Sequence, residues 1–237
     1  MTAARVPKPG PELTGPVEDY LKAIYELERS GKPAETNAIA GLLAIAPASV
    51  SGMVRRLADQ GLITHERYHG ARLTTAGRRA ALKTLRRHRV IESYLTSALG
   101  YSWDRVHDEA ERLEHAASDE LIDRMAAAIG EPETDPHGAP IPTREGTLQE
   151  RPAVPLSSLD AGESARVERV NDDNPDRLRY LAELGIVPGA EVKVEAREPF
   201  EGPIALNVDD ASRTIGPELA SQILVAPISI KRPKPGR

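Results

Sequence analysis

The sequence predicts a mainly α chain that opens with a winged helix-turn-helix and ends in a small β-barrel. Three observations predict it. Short amphipathic helical patterns follow one another closely to about residue 75 and close on an alternating stretch with a turn at His69-Gly70. Helical periodicity then continues to about residue 130. Beyond a segment with six prolines between residues 131 and 155, the chain changes to short β-patterned runs separated by Gly and Pro.

Each element has its own signal. In "VEDYLKAIYELERS", Val17, Leu21, Ile24 and Leu27 share one face, and Gly31 and Pro33 end that helix. "TNAIAGLLAI" follows, with Thr36 placed to cap its start. After Ala46-Pro47, "ASVSGMVRRLADQGLI" forms a third helix closed by Gly61. Residues 62–75 read as a hairpin, which completes a helix, turn, helix and wing. "TTAGRRAALKTLRRHRVIESYLTSAL" is a long helix. "VHDEAERLEHAASDE" reads as one further helical stretch, on which Val106, Ala110, Leu113, Ala117 and Leu121 form an apolar stripe that must be buried. The last region offers strands at "ESARVERV", "AEVKVEA", "PIALNVD" and "SQILVAPI", with "PDRLRYLAELG" as an inserted helix. The expected domains are therefore 1–75, 76–150 and 151–237, and the basic tail "KRPKPGR" is expected to be disordered.

Composition excludes several classes. No apolar run approaches the roughly 18 to 20 residues needed to span a bilayer. The first residues lack the apolar core of a signal peptide. There is no cysteine, so disulfides, thiolate ligands and cysteine nucleophiles are excluded. A cytoplasmic protein is expected. The net charge of −5 hides an asymmetry: residues 1–100 hold 15 Lys+Arg against 9 Asp+Glu, and the remainder 16 against 27. A basic beginning on an acidic chain suggests a polyanion bound at one end.

The chemistry is concentrated in the middle region. His107, Glu111, Glu114 and His115 fall at i, i+4, i+7 and i+8, within roughly a 100° arc of one helix. His88 and Glu92 add a second i, i+4 pair, and Asp19 stands among apolar neighbours of the first helix. A single such pair is ordinarily a solvated or salt-bridged surface. The whole set is different, because two carboxylates about 4 Å apart without a counter-charge cost about 4 kcal/mol at an effective dielectric near 20. A divalent cation turns that cost into attraction. Imidazole and carboxylate donors without sulfur suit Mn(II), Fe(II) or Zn(II). His65 and His69 read as exposed hairpin residues, Trp103 as a core or dimer contact, and Val90, Ile91 and Leu95 as core.

"EDYLKAIYELE", "APASVSGMVRRLADQGLI", "HRVIESYL", "VHDEAERLEHAASDE" and "LRYLAELGIVPGAEV" together resemble, in order and over nearly the whole chain, the DtxR/MntR family of metal-dependent transcriptional repressors. The resemblance implies a homodimer with a helical dimerisation domain and a C-terminal SH3-like (FeoA-type) domain. Position by position it implies a primary metal site at Asp19, Glu111, Glu114 and His115, and a second at His88, Glu92 and His107, although His88 joins the primary site in some members. "DPHG" resembles a "CPHG" segment of members with an extended second site, which implicates Asp135 and His137. Asp172 or Asp173 falls where the SH3-like domain lends an acidic ligand. Iron-sensing members typically carry Met and Cys where this chain has Asp19 and Glu111, and the exchange of sulfur for oxygen favours Mn(II). Fe(II) is the alternative, and Zn(II) or Co(II) can bind in vitro. Lys22 replaces a glutamate used by some manganese sensors, which argues against a two-ion primary cluster of their type.

The same resemblance implies a palindromic double-stranded DNA operator, no membrane partner, no catalytic residues and control of metal-uptake genes. The helix that includes Ala48 is expected in the major groove, with Ser49 and Ser51 at base edges. Arg55 and Arg56, with Thr36, Tyr68 and Arg72, are expected on phosphates. Gly52 stands where iron-sensing relatives carry a base-contacting glutamine, so their operator sequence does not transfer. Two rivals remain. A carboxylate-bridged metal oxidase needs Glu-x-x-His on each of two helices, whereas this chain has Glu111-x-x-Glu114-His115. A winged-helix regulator of an organic ligand would leave the acids merely solvated.

Overall fold

A computed structural model of the chain describes residues 13–66, 70–171 and 174–228. The chain divides into two compact units, Met1–Arg86 with Pro142–Thr147 and Arg87–Ile141 with Leu148–Arg237. Among the described residues no single helix is long and apolar enough to cross a membrane.

The first unit begins with α1 (Gly15–Arg29), α2 (Thr36–Leu42) and α3 (Pro47–Asp59). Its proline-started helices α1 and α3 exploit the fixed φ and missing N–H that suit proline to a first turn. The axes of α2 and α3 differ by 108°, the angle range of a helix-turn-helix. Thr36 is the first residue of α2, and Glu35 takes the cap position without a side-chain hydrogen bond, which corrects the expected Thr36 cap. The wing is β1 (Ile63–Glu66) paired antiparallel with β2 (Gly70–Leu73), and Ala34 bridges Ala71 on its other side. The expected turn residue His69 and the expected contact Tyr68 lie outside the described residues. Val17, Leu21, Ile24 and Leu27 of α1 are buried, as are Ile39, Val50, Val54 and Leu57. Burying each such side chain is worth about 1.5–3 kcal/mol.

The long helix α4 (Thr75–Leu99) carries residues of both units. The second unit continues with α5 (Val106–Leu113) and α6 (Asp119–Ala128), so the stretch expected as one helix is two. Ser118 makes the break: its Oγ accepts from the Leu121 N–H and starts a new helix. The apolar stripe breaks with it. Val106 and Ala110 are buried with Val90, Ile91, Leu95, Ile122 and Ala126, while Leu113 and Leu121 are exposed.

The C-terminal sheet comprises β3 (Val154–Pro155), β4 (Ser164–Val170), β5 (Glu191–Arg197), β6 (Ile204–Val208), β7 (Ala211–Ile215) and β8 (Ile223–Pro227), in the order β3-β8-β4-β5-β6-β7. All described pairings are antiparallel. β3 and β7 do not pair among the described residues, so the sheet is open rather than the closed barrel expected. A two-residue β3 offers too few ladder groups to close it. Short helices α7 (Pro175–Glu183) and α8 (Pro217–Ser221) accompany the sheet, and Leu178 and Leu181 of α7 join its core. Trp103, after α4, packs against this same core, which places it in the sheet domain's packing.

The proline-rich segment is an ordered strap. Thr134 bridges Pro140, and the Val170 N–H donates to the His137 carbonyl, which fastens the strap to β4. Gly138 makes this approach possible: its φ is +87°, and an added Cβ would lie 1.9 Å from the Glu168 carbonyl oxygen. Gly138→Ala should therefore destabilise the protein by about 2 kcal/mol or more, read as a lowered midpoint in thermal or urea unfolding.

Candidate metal centre and nucleic-acid interface

Within the second unit α4 presents His88 and Glu92 one turn apart, and burial among Val90, Ile91 and Leu95 takes both out of water. His88 Nε2 lies 3.0 Å from Glu92 Oε1 and 3.2 Å from His107 Nδ1. His107, on α5, also approaches Glu92 Oε1 at 3.4 Å. On its other side His88 Nδ1 is 2.6 Å from Glu114 Oε2 and 3.6 Å from Glu111 Oε1. The His88 ring thus has a carboxylate at each nitrogen. Glu114 caps the end of α5 and is fully buried; His115 follows in a turn, with Nε2 3.5 Å from Glu114 Oε1.

The second oxygen of Glu92 faces the strap. His137 Nδ1 is 3.9 Å from Glu92 Oε2, and Asp135 completes a buried trio whose donor atoms lie within 4.8 Å of one another. His137 Nε2 donates to the Trp103 carbonyl at 2.7 Å, and the Trp103 ring stacks on the imidazole at 5.7 Å. A carbonyl only accepts, so Nε2 carries a proton, and Nδ1 faces Glu92.

Electrostatics agree with a cation site. Burial pushes the Glu92 carboxyl up, but the His88 charge, hydrogen bonds from His107 and His88, and the His137 charge outweigh it and hold the carboxyl well below the usual carboxylate range. Glu92 Oε2 is nevertheless fully buried with no hydrogen bond among the described residues. An anionic oxygen left so is costly. Nitrogen and oxygen donors surround it and no cysteine exists, so the residues fit a divalent ion of borderline to hard character. When a cation takes a His88 nitrogen, that nitrogen must release its proton, so binding and proton release are linked.

The structure brings together His88, Glu92, His107, Glu111, Glu114, Asp135 and His137, with His115 beside Glu114. Asp19 is half-buried on α1 in the first unit, and Asp172 and Asp173 lie outside the described residues. Sequence reasoning passed over Arg89 and the Trp103 carbonyl. Arg89 follows His88 directly in an apolar stretch, a place where a charge needs a buried partner; a backbone carbonyl leaves no signal in sequence.

In the first unit, α3 buries Val50, Val54 and Leu57 and exposes Ala48, Ser49, Ser51, Arg55 and Arg56 on the other face. Arg72 is exposed on β2, and Thr36 is half-buried at the start of α2. A helix with small polar residues at its N-terminal end and two arginines following can enter a groove and hold phosphates.

Comparison with known proteins fits this arrangement. Residues 12–71 match the iron dependent repressor N-terminal DNA binding domain, 74–143 the iron dependent repressor metal binding and dimerisation domain, and 154–227 the FeoA domain. The chain is 33% identical over 197 residues to the iron-dependent repressor IdeR of Mycobacterium leprae, covering 78% of this chain and 85% of that one. It is 32% identical over 222 residues to the diphtheria toxin repressor of Corynebacterium diphtheriae, covering 86% and 97%. A solved structure described as a manganese-dependent transcriptional repressor complex with manganese superposes with a TM-score of 0.85 at 40% identity, covering 90% of this chain and all of that one. Fold and site together define a metal-dependent transcriptional repressor. The chain belongs to the DtxR/IdeR family, whose members bind operator DNA and dimerise.

Because the folded Glu92 carboxyl sits below its unfolded value of about 4.3, the stability it supplies is fully present above that value and is lost as pH falls toward the folded one. Metal-free wild type should exceed Glu92→Gln by roughly 2 kcal/mol at pH 6. That gap should shrink as the pH is lowered toward 3, followed by denaturant unfolding at each pH.

Proposed function

We propose that this chain is a manganese-activated, DNA-binding repressor of metal-uptake genes that works as a homodimer on a palindromic operator. The observation that carries the reading is a donor set of carboxylates and imidazoles, wholly free of sulfur, around a buried carboxylate oxygen. Such donors suit Mn(II) better than the softer ions, and the 40% identical neighbour is described as bound to manganese. Fe(II) is the alternative, since the relative from Mycobacterium leprae is described as an iron-dependent repressor; Zn(II) and Co(II) are expected to bind in vitro.

In this proposal the primary cation takes Asp19 with Glu111, Glu114 and His115, Asp19 being assigned by its place in the sequence. A second cation takes His88, Glu92, His107, Asp135 and His137, and Asp172, assigned by its place in the sequence, is the further acidic ligand. The cation fixes one conformer of the DNA-reading head, and the operator selects that same conformer. Each ligand must then tighten the other to the same degree. Ala48, Ser49 and Ser51 read base edges; Arg55, Arg56, Thr36, Tyr68 and Arg72 hold phosphates. The exposed apolar side chains Leu99, Tyr101, Leu113 and Leu121 supply the face on which two copies dimerise. The C-terminal sheet acts as an SH3-like module, and the protein works in the cytoplasm without catalysing a reaction.

The test is an anaerobic operator titration with Mn(II), Fe(II), Zn(II) and Co(II). Wild type should bind operator about 5- to 150-fold more tightly with Mn(II) than without. Glu111→Ala should lose most of that gain while keeping its metal-free affinity. Equal operator affinity in every condition would reject the mechanism, and a gain confined to Fe(II) would transfer it to iron. Arg55→Ala should weaken binding to all DNA sequences alike and flatten the salt dependence by about one ion, measured by fluorescence anisotropy.

A further inference from the structure

The wing strand β2 pairs with β1 on one side only, and such an edge leaves alternate N–H groups without a strand partner. On β2 those groups belong to Ala71 and Leu73. Ala71 N–H donates to the Ala34 carbonyl at 2.9 Å, through a one-residue bridge from the connection between α1 and α2. Leu73 N–H donates to a side chain instead: it meets Glu28 Oε1, from the last turn of α1, at 2.8 Å.

Glu28 is committed on both oxygens. Its Oε2 accepts from Arg78 Nη2 at 2.5 Å, and the Arg78 guanidinium lies over the buried Tyr25 ring at 5.6 Å. Leu73 ends β2 and Arg78 lies in the first turn of α4, so one carboxylate holds both sides of the junction from wing to helix. Its side chain is 17% exposed, mostly out of water, where a charge-assisted bond to a backbone N–H outweighs a surface ion pair. An acid opposes the dipole at a helix C-terminus, so nothing within α1 itself asks for a carboxylate at this place. Arg72 stands between the two pinned amides. Ala71 is buried and Leu73 half-buried, while Arg72 is exposed on the other face of the strand. Fixing the N–H groups on either side fixes the direction in which Arg72 leaves the strand.

We propose that Glu28 is a positioning residue for DNA binding: its carboxylate completes the third wing strand that Ala34 only begins, holds β2 against α1 and α4, and so aims Arg72 at a phosphate. The inference rests on the reading that Arg72 holds a phosphate. Glu28 itself never touches the DNA. The wing is thereby tied to α1, the helix that carries Asp19, and whatever fixes α1 fixes the wing.

The sign of the effect separates this role from electrostatics. Removing an acid near a polyanion should tighten DNA binding by charge alone, whereas loss of the wing's anchor should weaken it. A mixed-sequence DNA duplex of about 30 base pairs serves as the probe, because phosphate contact does not depend on sequence. With full-length protein in Mn(II), fluorescence anisotropy should show Glu28→Ala about five- to tenfold weaker than wild type. Its salt dependence should be shallower by about one ion although no Lys or Arg has been removed. Glu28→Gln keeps an oxygen for the Leu73 N–H and should lose less. Arg72→Gln should weaken wild type by about the same factor as Glu28→Ala, yet weaken Glu28→Ala by less than about threefold further, since both changes remove one contact. Amide exchange reports the anchor directly: Leu73 should be protected in wild type and exchange about tenfold or more faster in Glu28→Ala, with Val54 of α3 unchanged. Binding by Glu28→Ala as tight as wild type or tighter, full multiplication of the two losses, or an unprotected Leu73 amide in wild type would each overturn the proposal. The last of these needs no variant to fold. An Arg72→Gln protein with wild-type affinity and salt dependence removes the phosphate reading, and the proposal with it.

Discussion

A buried carboxylate, Glu92, with one oxygen left without a hydrogen bond among the described residues, is the constraint around which the second unit is arranged. Glu92 Oε1 has His88 and His107 against it, and Glu92 Oε2 has only His137 and Asp135 in view, with no hydrogen bond. Val90, Ile91 and Leu95 pack the same helix into the core and keep Glu92 buried. Neighbouring imidazoles draw the carboxyl into its charged form. A folded protein that keeps such a group charged and incompletely bonded stores a demand for a cation.

That demand links otherwise separate parts. His137 Nε2 donates to the Trp103 carbonyl, and the Trp103 ring belongs to the packing of the C-terminal sheet. The strap that carries His137 is fastened to β4 through Val170 and the close approach at Gly138. His88 passes the influence the other way, from Glu92 to Glu114 and Glu111 on α5. A cation that rearranges any of these side chains acts on α4, which itself carries residues of both units.

Much of this was legible in the sequence, for reasons that differ by residue. The spacing of His88 with Glu92, and of His107 with Glu111, is helical, and the structure keeps those pairs on α4 and α5. The single helix expected through His115 fails at Ser118, whose hydroxyl caps a new helix; the apolar period survived the break and concealed it. Leu113 and Leu121, expected to be buried, are exposed in the single chain. The C-terminal strands were readable from their alternation, but closure depends on pairing between distant edges, which no local pattern reveals. Arg89 was hidden by its neighbour: its meaning lies in Asp135, 46 positions away in sequence and 3.3 Å away in space.

The most direct measurement of the central claim is the anomalous scattering of manganese in crystals of the Mn(II)-loaded protein. The account predicts a peak within coordination distance of Glu92 Oε2 and His137 Nδ1, and another among Glu111, Glu114 and His115. A fully loaded crystal with no peak beside Glu92, its Oε2 bonded instead to water or to another side chain, would contradict it.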